Sequence, residues 1–426
     1  MGATNFVKGS ASIDTQAKSL KRMNLKIDTP MLLAVVILLI LGLVMVFSSS
    51  MQFSIRNTTN NNPYFFLRRQ VVFVVLGLAV AYVAYRVDYR WLRPLAPWIL
   101  VGTIVLLIAV FFVPLDVDVP KRALFGGSIQ PSELAKVAVI IYLSVWISRK
   151  KDQLNSLVSG VLPLGIILGV VCGLILAQPD VSAMLTIMFM GGLLFFMADG
   201  SWRIMVIIVL IALVMFGLIY VFSEPLFGTN YVQYRIENYF GSWNDISQTS
   251  DHIQHSVAAI IRGGWFGTPL GEGSSKFIGL PVPWTDSIFA VIVEELGFFG
   301  GTFVILLYGV ILWRGLKIAD EAPDMTGKLL AAGLTCWLVF EAILNMGVMV
   351  NLFPVAGNAL PLISYGGSMM VTSLGAIGLI FSIHRISNEK KIAMERRSLD
   401  APVDLRRGDG GRRVSRSQRF TRTPRR

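Results

Sequence analysis

Residues 30–50 read PMLLAVVILLILGLVMVFSSS and carry no charged side chain. A run of this length can cross a bilayer core of about 30 Å as a helix. It exceeds the roughly 7–15 residues of a signal-peptide h-region, and only SSS at 48–50 imitates a small-residue cleavage site. It therefore reads as a retained spanning helix. Runs of the same kind recur as far as Ser382. Of the 426 residues, 54% are hydrophobic and 15% are charged, against about 45–50% and about 25% in average usage. These values exclude an ordinary soluble domain. The fold class is an all-α integral membrane protein.

Ten transmembrane helices are expected, near 30–50, 68–86, 95–115, 133–148, 160–178, 181–198, 201–222, 295–315, 327–350 and 368–384. An even number places both termini on one side. The head (Lys8, Lys18, Lys21, Arg22, Lys26), Arg86, Arg90 and Arg93, the run Arg149-Lys150-Lys151 and the tail share that side, which the positive-inside rule makes cytoplasmic. Net charge is +12, and the segment after Phe381 holds 14 Lys/Arg and 5 Asp/Glu. Placed after a last span, this basic tail suits an anionic membrane surface better than nucleic acid. Three parts follow: a cytoplasmic head (1–28), a membrane domain (29–385) and a disordered basic tail (386–426). The large extracytoplasmic loop between spans 7 and 8 covers 223–294. Cys172 and Cys336 both lie in apolar runs and read as small core residues rather than a disulfide pair.

The outward segments hold the candidate chemistry. The segment PKRALFGGSIQPSELAK (120–136) offers Lys121 and Arg122, then Gln130, then Pro131-Ser132-Glu133 as a helix start. Glu133 is equally a capping acid and a site carboxylate, with Lys136 one turn on. Gln178-Pro179-Asp180 breaks one helix, and Asp180 caps the next. In DHIQHSVAAIIR (251–262), Ile253, Val257, Ile260 and Ile261 make an apolar stripe at helical spacing, the pattern of an interfacial amphipathic helix. His252 and His255 could ligate metal, but without a third placed ligand they read as interfacial polar groups. Gly271 to Lys276, GEGSSK, could offer backbone N–H groups to a phosphate, with Lys276 as a point charge. Next comes LPVPWTDSIFAVIVEELGFFGG (280–301), with Asp286 ahead of Glu294 and Glu295. The two glutamates read as acids at the start of the eighth span. Last, FPVAGNALPLISYGGS (353–368), with Ser364, breaks an apolar region. Irregular backbone at that depth must line a cavity or be buried in protein, so this segment is expected to re-enter and floor an outward cavity.

QPSELAK (130–136), QPD (178–180), the LP…TD…IF and EELGFFGG elements of 280–301, and PLISYGGS (361–368), in this order, resemble the SEDS family of shape, elongation, division and sporulation proteins. The resemblance covers roughly residues 28 to 385. The family polymerises peptidoglycan from lipid II, a disaccharide-pentapeptide on undecaprenyl pyrophosphate. It implies that Asp286 is the catalytic carboxylate and that Glu133, Lys136 and Asp180 support it, with Gln130 and Ser364 inside the matched motifs. It also implies a class B penicillin-binding protein transpeptidase and other division proteins as partners. The chain departs from the family at Val282 and Trp284, where Glu and His are common, and at Ser287, where Phe is usual. Arg122-Ala123 replaces an Arg-Trp pair, and His252 and His255 replace two glutamines. The extended termini and FLRRQ at 66–70 resemble the division-type branch more than the elongation-type one.

On that resemblance Asp286 is the general base. The departing pyrophosphate needs positive charge, from Lys121, Arg122, Lys136, Arg235, Arg262, Lys276 or a divalent cation such as Mg or Mn. A lipid II flippase and a scaffold for the transpeptidase are the competing readings.

Overall fold

Hydrocarbon gives backbone groups no partners, so a chain this apolar must close its hydrogen bonds within helices. The computed structural model describes residues 27–57, 61–112, 130–221, 231–242, 249–277, 279–355 and 357–400, with no strand among them. Twelve α-helices follow: α1 (Thr29–Asn57), α2 (Phe65–Arg86), α3 (Leu92–Ala109), α4 (Pro131–Arg149), α5 (Leu162–Leu176), α6 (Val181–Met197), α7 (Trp202–Val221), α8 (Tyr231–Gly241), α9 (Asp251–Gly263), α10 (Ile288–Asp320), α11 (Met325–Met349) and α12 (Gly367–Asp400). Among the described residues, eight helices are long and apolar enough to span a membrane. The other two expected spans correspond to Val181–Met197 and the stretch Trp202–Ile211, which are shorter apolar helices.

Charge decides which helices sit inside. α4 carries Glu133 and Lys136, and α11 carries Glu341 and Asn345. Such groups cannot face lipid, and about three-quarters of each span is buried, 72% and 78%. By contrast α2, lined by Val71, Val72, Val75 and Leu76, is only 17% buried. It packs along α12 and α1, while α4 touches α3, α6 and α11.

Two expected boundaries move. α12 continues to Asp400, beyond the expected end at 384, so residues 386–400 of the tail are helical rather than disordered. Their sequence, ISNEKKIAMERRSLD, is rich in good helix formers. Arg385 meets Glu389 one turn on at 3.7 Å, and Lys391 reaches Glu321 at 2.9 Å. The eighth span also begins at Ile288 rather than 295, because FAVIV already continues the apolar run, and it is interrupted at Gly297 (φ 71°, ψ −174°).

That interruption corrects the reading of Glu294 and Glu295. They end the first half of α10 instead of starting a span, where the helix dipole disfavours acid. Each is compensated by the loop before it. Glu294 Oε1 accepts from the Ser274 and Ser275 amides, both at 3.1 Å, and from Ser275 Oγ at 2.8 Å. Glu295 Oε1 accepts from Lys276 Nζ at 2.7 Å and Ser48 Oγ at 2.8 Å. The glycine-rich amides do bind an anion, and the anion is the protein's own carboxylate.

The break is filled by residues 264–268. Phe298 N–H donates to Gly264 O at 2.9 Å, and Thr268 N–H donates to Glu294 O at 2.9 Å. The chains meet so closely that a Cβ on Gly297 would lie 2.4 Å from Trp265 O and 2.5 Å from Gly267 N. Its φ and ψ fall in a region open essentially to glycine alone. Gly297→Ala is therefore expected to cost about 3 kcal/mol or more, read as a lowered thermal midpoint of the detergent-purified protein. An unchanged midpoint would contradict this geometry.

At the other end of α10, Asp324 caps α11 through Gly327 N–H at 2.9 Å and meets Tyr89 Oη at 2.8 Å and Arg93 at 3.0 Å. Burial pushes its carboxyl up, but these donors and cations outweigh it and hold the group below its ordinary value.

Candidate active site

The segments that the sequence marks as irregular converge on one cavity of about 310 Å³. α4 contributes Glu133 and Lys136, with Gln130 just ahead of it. The start of α6 contributes Asp180, and the approach to α10 contributes Thr285 and Asp286. Gly357 to Ala359 and Tyr365 to Met369 form a further wall, as the expected re-entrant floor requires, while Arg69 and Phe73 come from α2. The floor segment holds Leu362 at φ 67°, a conformation L-residues rarely adopt, with Pro361 O accepting from the buried Tyr308 hydroxyl.

Asp286 is fixed through its main chain. Ser364 Oγ donates to Thr285 O at 2.7 Å, and Asn345 Nδ2 donates to Asp286 O at 2.7 Å and to Asn358 O at 2.5 Å. Trp284 anchors the same loop. Its ring centroid lies 4.6 Å from that of Phe53 and 4.9 Å from that of Phe66, and its carbonyl accepts from Tyr365 N–H at 2.8 Å. The carboxylate itself faces Gly357, where an added Cβ would stand 3.6 Å from Oδ2. Burial holds the Tyr365 phenol above its ordinary value, leaving it a neutral donor.

Deeper in the wall, Lys136 Nζ lies 2.7 Å from Glu133 Oε1 and also bonds Glu341 Oε1. Lys136 and Glu341 are 4% and 1% exposed, so this is a buried cluster in which one cation is shared by two carboxyl groups. Asp180 caps one helix and ties it to another. Its Oδ1 caps α6 by accepting from Ala183 N–H at 3.2 Å, and its Oδ2 accepts from Gln130 Nε2 at 3.1 Å and Ser132 Oγ at 3.0 Å. Gln130 N–H donates in turn to Ser368 Oγ at 2.7 Å. α4, α6 and the start of α12 are thereby set in register around the cavity.

Other candidates stand elsewhere. Lys276 is buried against Glu295. Arg235 Nη1 donates to Val355 O at 2.8 Å and lines a second cavity of about 260 Å³ beside His252. Arg262 Nη1 reaches Ser275 Oγ at 3.2 Å. Ser364 acts through Thr285 rather than on the cavity wall. Lys121 and Arg122 lie outside the described residues. Among the described residues no three His, Cys, Asp or Glu gather as a metal site, and two of the cavity carboxylates, Glu133 and Glu341, are engaged by Lys136. α9 is a helix as expected, but its buried positions are Ile253, Ser256, Ala259 and Gly263, and Ile261 of the expected stripe is exposed.

Glu341 and Asn345 are absent from the sequence reading. Their signal was present: an acid and an amide four residues apart, hence on one helix face, inside the apolar span LVFEAILNMGVM.

The sequence model of the family described as Cell cycle protein, FTSW_RODA_SPOVE, matches residues 29–389. Stage V sporulation protein E of Bacillus subtilis is 36% identical over 374 residues, covering 86% of this chain and all of that protein. A probable peptidoglycan glycosyltransferase FtsW of Thioalkalivibrio sulfidiphilus is 34% identical over 402 residues, 92% of this chain and 95% of its own. The Thermus thermophilus rod shape determining protein RodA superposes with a TM-score of 0.62 at 25% identity, over 85% of this chain and 98% of that one. A chain from a structure titled for the coordination of polymerization and crosslinking by a peptidoglycan synthase complex shares the fold, with a TM-score of 0.67 at 24% identity over 85% and 99%. With its apolar spans and most of its length matched, this multi-pass membrane protein belongs to the FtsW/RodA/SpoVE family of cell cycle proteins.

Proposed function

We propose that this protein is a peptidoglycan glycosyltransferase that polymerises lipid II into glycan strands at the outer face of the bacterial cytoplasmic membrane, in septal wall synthesis. The observation that carries this reading is Asp286: a carboxylate on a cavity wall, held through its main chain, opposite a residue with no side chain. Relatives named as probable FtsW glycosyltransferases match most of the chain.

In this mechanism the Asp286 carboxylate takes the proton of the sugar 4-hydroxyl of one lipid II molecule. The oxygen forms a bond to the anomeric carbon at the lipid-linked end of the growing glycan. The bond from that carbon to the pyrophosphate oxygen breaks, its electron pair leaves with undecaprenyl pyrophosphate, and the anomeric centre inverts. A base does this work only within hydrogen-bond reach of the proton, which is the reason for holding the 285–287 backbone so firmly. Both termini lie in the cytoplasm on this reading, supported by Arg86, Arg90, Arg93 and Arg149 to Lys151 at one end of the bundle. A class B penicillin-binding protein is the partner, a reading supported by likeness to a chain from a peptidoglycan synthase complex.

The test is labelled lipid II with the purified full-length protein and a co-purified class B penicillin-binding protein whose own transpeptidase serine is removed. A ladder of glycan strands on a gel is expected. Lipid transfer across reconstituted vesicles without any ladder would replace polymerisation by transport.

A further inference from the structure

The residue that follows Asp286 is held from outside the cavity. Ser287 is fully buried, and its Oγ donates to Pro281 O at 3.0 Å. The same oxygen lies 2.6 Å from His252 Nε2. A hydroxyl has one hydrogen, and here Pro281 takes it. With the hydroxyl hydrogen on Pro281 O, which can only accept, the 2.6 Å contact is a hydrogen bond when the imidazole carries its proton on Nε2. His252 belongs to α9, which packs along α10, and α9 is itself pinned. Ser256 Oγ donates to His252 O at 2.7 Å and lies 3.4 Å from Met349 Sδ at the end of α11. Three consecutive residues are therefore gripped by three different elements: Thr285 by the floor loop, Asp286 by α11, Ser287 by α9.

We propose that His252 is a positioning residue for glycosyl transfer: through Ser287 Oγ it fixes the backbone that aims the Asp286 carboxylate into the cavity. The inference rests on the reading of Asp286 as general base. Burial, and then the charge of Arg235, hold the imidazole below its ordinary pKa, which favours the neutral ring. Arg235 comes from α8 and stands with His252 on the wall of the second cavity. A merely structural histidine would lend α9 stability. A positioning histidine acts on turnover, because a base displaced by about 1 Å can cost about 10²-fold in rate.

The experiment uses the full-length protein with its class B partner in the lipid II assay. His252→Ala and Ser287→Ala are each expected to lower kcat by about 10–100-fold with KM within about 2-fold, since geometry rather than binding is lost. The double variant is expected to be no slower than the slower single one, because both changes remove the His252–Ser287 hydrogen bond. His252→Gln, whose amide can donate to Ser287, is expected to recover activity to within about 3-fold of wild type. The inference fails if His252→Ala keeps its kcat, if the two losses multiply, or if Gln does not rescue a protein that melts normally. Asp286→Asn separates the two ideas. Full activity there sinks the general base itself, whereas a dead Asp286→Asn beside an active His252→Ala sinks only the positioning role.

Discussion

Asp286→Asn is expected to lower lipid II polymerisation by about 10²–10⁴-fold, the usual effect of removing a general base, with no loss of folding. The second half of that expectation comes from the structure. Hydrogen bonds that hold this residue's neighbourhood run to the carbonyls of Thr285 and Asp286 and to Ser287 Oγ. Asparagine keeps every one of them, and it keeps the side-chain shape beside Gly357. What it lacks is the capacity to take a proton at neutral pH. Glycan product per unit time, with a thermal melt on the same sample, checks both halves. Equal product from variant and wild type would remove Asp286 from the chemistry. Equal loss of product and of fold would show that the carboxylate holds the structure together.

Lys136→Met is expected to cost about 3–5 kcal/mol of stability, the range for breaking a buried ion pair by removing one partner. The methionine fills the space of the lysine stem but leaves Glu133 and Glu341 facing each other without their cation. Joining it with Glu133→Met and Glu341→Met, which removes the charges altogether, should recover much of the loss, since apolar replacements of a whole buried triad are often neutral. Glu341→Gln alone should be milder, because Lys136 keeps Glu133 at 2.7 Å. Thermal unfolding followed by intrinsic fluorescence ranks the three. A Lys136→Met protein that melts with wild type would show that the triad adds nothing to the fold.

The parts legible in the sequence were those where chain and chemistry are local. Runs of apolar residues announce spans, and QPSELAK, QPD, TDSIF and PLISYGGS announce the cavity wall. The capping expected of Asp180 is there, and because a carboxylate has two oxygens the second also ties α4 to α6. Long-range pairing stayed hidden. Nothing near Glu294 and Glu295 shows that the loop at 274–276 folds back on them, so their closeness to an apolar run looked like capping. Glu341 was overlooked because a single acid in an otherwise apolar helix does not name its partner 205 residues earlier. Two departures from the family pattern, His252 and Ser287, gave no hint that they touch, and they do so at 2.6 Å.

On the proposed reading, the cavity wall would also sort the two ends of its substrate. Of the charged residues that line it, Glu133, Asp180, Asp286 and Glu341 are acidic, while Arg69 and Lys136 are basic. Like charges about 4 Å apart repel by about 4 kcal/mol at the effective dielectric of a protein edge. A diphosphate pushed against the carboxylates of the wall would meet that repulsion, whereas sugar hydroxyls would find acceptors there. On the proposed reading, a lipid-linked sugar would set its ring against the carboxylates and its phosphates towards Arg69. On that reading the same imbalance would act after the bond breaks: the freed diphosphate has gained charge, and the wall that admitted its sugar would repel it.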